Sequence, residues 1–138
     1  MADTVRKINY CYVMVPNRPG NGARILAECK EAGVNLEALV AFPTKGGKAQ
    51  VDLIAKDMAG VRRVAGRSGW RLSKTKKGFL VQGVDQIGAC HRHLQKLADC
   101  KINVVAAQAL AAGKGRYAMI LWVKPKDYNR AAKTLRAK

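Results

Sequence analysis

From Lys48 to Lys56 the chain alternates: Ala49, Val51, Leu53 and Ala55 are apolar, while Lys48, Gln50, Asp52 and Lys56 are polar. A two-residue period places the two sets on opposite faces of a strand, so one face is expected in a core and the other partly wet. Leu36, Ala38, Val40 and Phe42 keep the same period just before it. Pro43-Thr44-Lys45-Gly46-Gly47 separates the two runs and is dense in turn formers, which predicts a hairpin. Upstream, Ile8 to Val15 is apolar and β-prone and follows a polar lead-in over Met1 to Lys7. Asn17-Arg18-Pro19-Gly20 then breaks the strand, because proline fixes φ and lacks a donor while glycine reaches angles closed to other residues. From Asn21 the spacing becomes helical, with Ile25, Leu26, Cys29 and Ala32 on one stripe and Gly33 where a helix-ending glycine belongs. Met58, Val61, Val64 and Ala65 predict a second helix ended by Gly66 and Gly69, and Trp70-Arg71-Leu72 a short fourth strand. The order is β-α-β-β-α-β.

The second half repeats this plan. A shift of 68 positions lays Gly20 on Gly88, Leu26 on Leu94, Asn35 on Asn103, Ala41 on Ala109, Gly47 on Gly115, Val51 on Met119 and Leu53 on Leu121 without a gap. A fixed period over turn and core positions signals a duplicated unit. The second copy is expected to hold a strand at Phe79 to Val84, a turn at Asp85-Gln86-Ile87-Gly88, and a helix burying Cys90, Leu94, Leu97 and Ala98. Strands at Ile102 to Leu110 and Arg116 to Val123 follow, joined by Ala112-Gly113-Lys114-Gly115, and Tyr128, Ala131, Ala132 and Leu135 make a last helix. The chain ends before a fourth strand equivalent to Leu72. Two modules, 1–74 and 75–138, are therefore expected, joined by the short basic link Ser73 to Gly78. The fold class is α+β: ferredoxin-like βαββαβ units duplicated in tandem, their antiparallel sheet carrying the helices on one face.

A unit of this order, with a strand-to-helix turn of the type D/N-x-P-G and a helix closing in A/E-G-V-N-I/L, resembles the ACT domain, a small-molecule regulatory module. The matching residues are Asn17-Arg18-Pro19-Gly20 and Ala32-Gly33-Val34-Asn35-Leu36 in the first copy, and Asp85-Gln86-Ile87-Gly88 and Cys100-Lys101-Ile102-Asn103-Val104 in the second. Copy two departs by placing Ile87 for the proline and Lys101 for the glycine. The resemblance covers nearly the whole chain and implies a stand-alone tandem ACT protein, similar to those that bind amino acids and control metabolic enzymes or transport. It implies no cofactor and no catalytic residue.

The chemistry of such a site is readable from its residues. The first N–H groups of a helix lack intrahelical acceptors and lie at the positive end of its dipole, which suits a carboxylate. Gly20, Asn21 and Gly22 place bare backbone there in copy one and Gly88 in copy two. Asn17 and Asp85 open the turns and are suited to an ammonium group, with Arg18, Pro19 and Gln86 shaping them. Asn35 and Asn103 would supply an amide from the next strand. An α-amino acid carries both charges.

Composition narrows the alternatives. With 138 residues and 49% apolar ones the chain can bury a core. Cys11, Cys29, Cys90 and Cys100 lack C-x-x-C spacing and read as reduced core residues of a cytoplasmic protein. Neither a signal segment nor a run of about 18 apolar residues is present, so no membrane partner is expected. No G-x-S-x-G, H-E-x-x-H or P-loop pattern occurs, so an enzyme is not expected. Cys90 and His93, three apart on a helix, are the one pair suited to a metal, and without a third ligand no metal site is expected. The charge is unusual: 26 Lys+Arg against 9 Asp+Glu gives +17, with eight basic residues and one acid between Lys56 and Gly78. Nonspecific polyanion contact is expected from such a field. A nucleic-acid-binding protein is the alternative reading, since the RNA-recognition fold shares this element order. Against it, Lys114-Gly115-Arg116-Tyr117-Ala118-Met119 and Leu121 carry Arg116, Ala118 and Leu121 where stacking rings are wanted. Strand residues apolar on both faces, Leu39 and Ala41 or Ala118, Ile120 and Trp122, point to a homo-oligomer.

Overall fold

The computed structural model describes residues 2–138; Met1 of the expected lead-in lies outside them. The alternation and turn chemistry give strands β1 (Thr4–Pro16), β2 (Ala38–Pro43), β3 (Lys48–Ile54), β4 (Lys76–Val84), β5 (Val104–Gly113) and β6 (Arg116–Val123). The helices are α1 (Asn21–Glu31), α2 (Met58–Ser68), α3 (His91–Asp99) and α4 (Tyr128–Leu135), the last preceded by a 3-10 turn at Pro125–Asp127. None is long and apolar enough to cross a membrane.

The chain divides into two compact units, Asn9–Lys76 and the residues up to Ile8 together with Lys77–Lys138. In the first, β3 pairs antiparallel with β1 on one side and β2 on the other, with Val13 opposite Val51 and Ala41 opposite Val51 across the two ladders. Val13, Val51, Leu53 and Ala55 share a face and pack with Ile25 of α1 and Val61 of α2. The period that distinguishes Val51 and Leu53 from their neighbours thus selects the helix-covered side. Leu26, expected on the buried stripe of α1, is instead 37% exposed. The fourth strand expected at Trp70–Leu72 is reduced to one bridge, Val13 to Leu72.

The second unit repeats this arrangement, with β6 antiparallel between β4 and β5 and Val81 opposite Met119. Phe79, Val81, Met119 and Leu121 meet Leu97 of α3 and Ala131, Ala132 and Leu135 of α4. All four residues expected to bury α4 do so. On α3 the stripe differs: His93 and Leu97 are buried and Ala98 is exposed. The repeat also slips by one residue before the last helix, so that buried Val64 and Ala65 match Ala131 and Ala132.

The expected module boundary differs at the N-terminus. Strand β1 begins at Thr4 rather than Ile8, and its first residues belong with the second unit: Val5 is buried in that unit's core, and its carbonyl accepts the Lys138 N–H at 3.0 Å. The segment that looks polar in sequence is therefore structural.

Candidate functional site

Both strand-to-helix turns are built by the same hydrogen bonds. Asn17 N–H donates to Gly47 O and Asp85 N–H to Gly115 O, both at 2.8 Å. Asn21 N–H donates to Arg18 O at 3.4 Å and Ala89 N–H to Gln86 O at 3.1 Å. Each pair is 68 positions apart. Gly20 and Gly88 take φ of 92° and 78°, left-handed angles that a side chain resists. These glycines turn the strand directly into its helix.

The two turns differ in what they leave open. In copy one, Asn17, Arg18, Pro19, Gly20 and Gly22 are exposed, and the Asn21 side-chain amide donates to Pro16 O at 2.7 Å, drawing the turn onto itself. In copy two, a cleft of about 320 Å³ opens at the turn. Asp85, Gln86, Gly88 and Cys90 form one wall, and Leu110 of β5 and Tyr117 of β6 another. Cys90 occupies the cap position of α3 and makes no side-chain cap bond. A carboxylate wall, a helix start and an apolar wall thus converge on one space.

Below this cleft lies a buried polar cluster. The Asp3 carboxylate, 3% exposed, forms an ion pair with Arg92 Nη2 at 2.7 Å, accepts from His93 Nε2 at 2.6 Å, and also takes the Tyr117 hydroxyl hydrogen. Burial alone would raise the Asp3 carboxyl, but the bonds from Tyr117, His93 and Arg92 outweigh it and hold the group below its ordinary range. Tyr117 is pushed up to about 12, by burial first and by the neighbouring Asp3 second. One edge of the cleft is consequently a neutral, anchored phenol. The Asp3 carboxylate also lies against Gly83 of β4, where an added Cβ would overlap its Oδ1.

No protein-family model and no curated protein matches the sequence. Solved structures do match the fold. Protein BT0572 from Bacteroides thetaiotaomicron superposes with a TM-score of 0.80 at 13% identity, over 97% of this chain and 88% of that one. The regulatory subunit of aspartate kinase from Thermus thermophilus gives 0.60 at 14% identity, over 98% and 93%. The corresponding subunit from Thermus flavus gives 0.58 at 17%, over 98% and 94%. The fold is that of the ACT domain.

Within this ACT-type frame the second sequence motif is a helix stop. Gly33 and Lys101 both adopt left-handed angles, φ 72° and 57°, and the next N–H returns to the helix, Val34 to Cys29 O and Ile102 to Leu97 O, both at 2.9 Å. Asn35 and Asn103 follow these stops and are exposed; Asn103 does not line the cleft. The residues brought together at the cleft are Asp85, Gln86 and Gly88, joined by Cys90, Leu110 and Tyr117, which the motif comparison does not include. His93, paired in sequence with Cys90 as a metal candidate, is engaged by Asp3. No group of three or more His, Cys, Asp or Glu is gathered for a metal among the described residues. All four cysteines are free, and Cys100 is exposed rather than in a core.

Proposed function

We propose that this protein is a non-enzymatic regulatory module that binds an amino acid or a zwitterion of similar size at the strand-to-helix turns. The observation that carries the proposal is the cleft at Asp85–Cys90. In it the ligand carboxylate sits on the N–H groups at the start of α3, where the helix dipole favours negative charge. The Asp85 carboxylate takes the ammonium group, and Leu110 with its neighbours on β5 receives the side chain. The fold shared with regulatory subunits of aspartate kinase supports the same reading. The copy-one turn at Asn17–Gly22, with Asn35 beyond it, is the corresponding second site.

The module acts as a homo-oligomer in the cytoplasm. Strand β5 is an edge strand with no charged residue from Val104 to Gly113, and Val105 and Leu110 are 49% and 59% exposed. An edge of this length without charge is a template for pairing. A second copy there would cover the open wall of the cleft.

Calorimetric titration with each of the twenty amino acids tests the proposal. One or a few should bind saturably, and Gly88→Val, which forces a β-branched residue into a left-handed angle, should abolish the heat. Silence from all twenty would overturn it. A strictly monomeric mass by light scattering would remove the oligomer.

A further inference from the structure

Ligand capture at the Asp85 turn makes no use of the chain's charge excess, and that excess is concentrated elsewhere. Between Lys56 and Lys76 stand Lys56, Arg62, Arg63, Arg67, Arg71, Lys74 and Lys76 against one acid, Asp57, and all seven cations are exposed. Arg63 and Arg67 lie one turn apart on α2, a spacing that sets their Cβ atoms about 5–6 Å apart on one face. They border a cleft of about 610 Å³ between α1 and α2, lined also by Glu31 at the end of α1 and by Gly66, which leaves the helix backbone open.

Asp57 does not neutralise this face. One Asp57 oxygen accepts the Gly60 N–H at 2.9 Å as the cap of α2. The other reaches Arg63 only at 3.5 Å, with the side chains 69% and 60% exposed, a geometry worth little in water. Arg67 has no ion pair among the described residues. The face also lacks what a protein partner or a base reader would need. None of the large exposed apolar side chains lies between Lys56 and Lys76, and the one aromatic residue there, Trp70, packs on the core. Forked guanidiniums suit phosphates, and without rings the face has nothing on which bases could stack.

We infer that the exposed face of α2, centred on Arg63 and Arg67, docks the phosphate backbone of a nucleic acid without reading its sequence. Fluorescence anisotropy with a labelled duplex of about 20 base pairs over about 50–200 mM salt tests this. Binding should weaken with salt, and Arg63→Glu/Arg67→Glu should weaken it at least about ten-fold and lower the logarithmic salt slope by about two, one per lost phosphate contact. Lys124→Glu/Lys126→Glu makes the same change in net charge at two exposed lysines of the other unit and should change affinity less than about three-fold. Arg63→Gln/Arg67→Gln, which preserves helix propensity, should lower the slope in the same way if the reversal unfolds α2. Equal losses from the α2 and the Lys124/Lys126 reversals, or no binding at physiological salt, would overturn the inference. Amino-acid titration heats should be unchanged in the α2 variants, so the two binding activities fail independently.

Discussion

Asp3→Ala is the sharpest probe of how the N-terminal segment is held. The variant deprives the Tyr117 hydroxyl and the buried His93 ring of their acceptor and removes the Arg92 ion pair. An orphaned buried donor costs about 1–3 kcal/mol, and breaking a fully buried pair about 3–5 kcal/mol. Arg92 is 41% exposed and can be resolvated, which removes much of the second cost. The expected loss is about 2–3 kcal/mol, or roughly 5–10 °C in Tm for a chain of this size. Asp3→Asn keeps one acceptor and should lose about half as much. The pH dependence has a fixed sign. Because the folded carboxyl is held below its ordinary 3.8, its stabilisation is complete above that value and is lost as pH falls through the folded pKa. Thermal melts of wild type and Asp3→Ala should therefore differ most near neutrality and converge in acid. Melts within about 1 °C of each other at pH 7, or a gap that persists unchanged below pH 3, would refute the network as a clasp.

Three further outcomes follow from single residues. Lys101 holds a left-handed angle that Gly33 supplies in the other copy, so Lys101→Gly should stabilise the protein by about 0.5–1 kcal/mol in urea unfolding, after the entropy cost of glycine. Tyr117, raised to about 12, should remain un-ionised after an ordinary tyrosine has titrated, and the Tyr117→Phe difference spectrum should place its transition above pH 11. Its sign is opposite to that of Asp3: the stabilisation is complete below the ordinary 10.0 and lost as pH rises toward 12. Asp57→Ala removes the cap of α2 and should cost about 1 kcal/mol in urea midpoint, with Asp57→Asn nearly neutral.

The fold was legible because its two repeats state it twice. The period over Val51 and Leu53 identifies the covered face, and the Gly20 and Gly88 positions, with Gly47 and Gly115, mark the left-handed turns. What the sequence conceals is Asp3, whose partners are about 90 positions or more away. A signal was present in the places where the copies disagree. At the shift of 68, Ile25 becomes His93, Ala49 becomes Tyr117 and Val15 becomes Gly83. Two apolar positions turn polar and a third loses its side chain, and all three surround Asp3. Local periodicity weighs each residue against its neighbours in one segment, so it pairs His93 with Cys90 and not with Asp3. The cleft was half legible: its turn is motif-like, but Leu110 and Tyr117 enter through strand pairing across the sheet.

The same comparison between copies separates the Asp85 cleft from the α2 face. Copy one has Asn21, whose amide closes its turn on Pro16; copy two has buried Ala89 there, with no polar group to do so, and its turn stands open as a cleft. The final helices diverge in the opposite sense. With the one-residue slip, Arg63 and Arg67 of α2 match Arg130 and Thr134 of α4. Arg130 is spent within the fold, donating to Cys100 O at 2.6 Å and Asp127 Oδ1 at 3.1 Å, and Thr134 donates back to Arg130 O at 2.9 Å. The guanidinium that copy one offers to solvent is thus tied down in copy two, while the Asn21 bond that braces the copy-one turn has no counterpart in copy two. A duplicated unit has no structural need for either difference, since both copies keep the same ladders, stops and turn bonds. Two of the divergences, an open turn in copy two and an exposed arginine face in copy one, are where ligand and polyanion are proposed to bind.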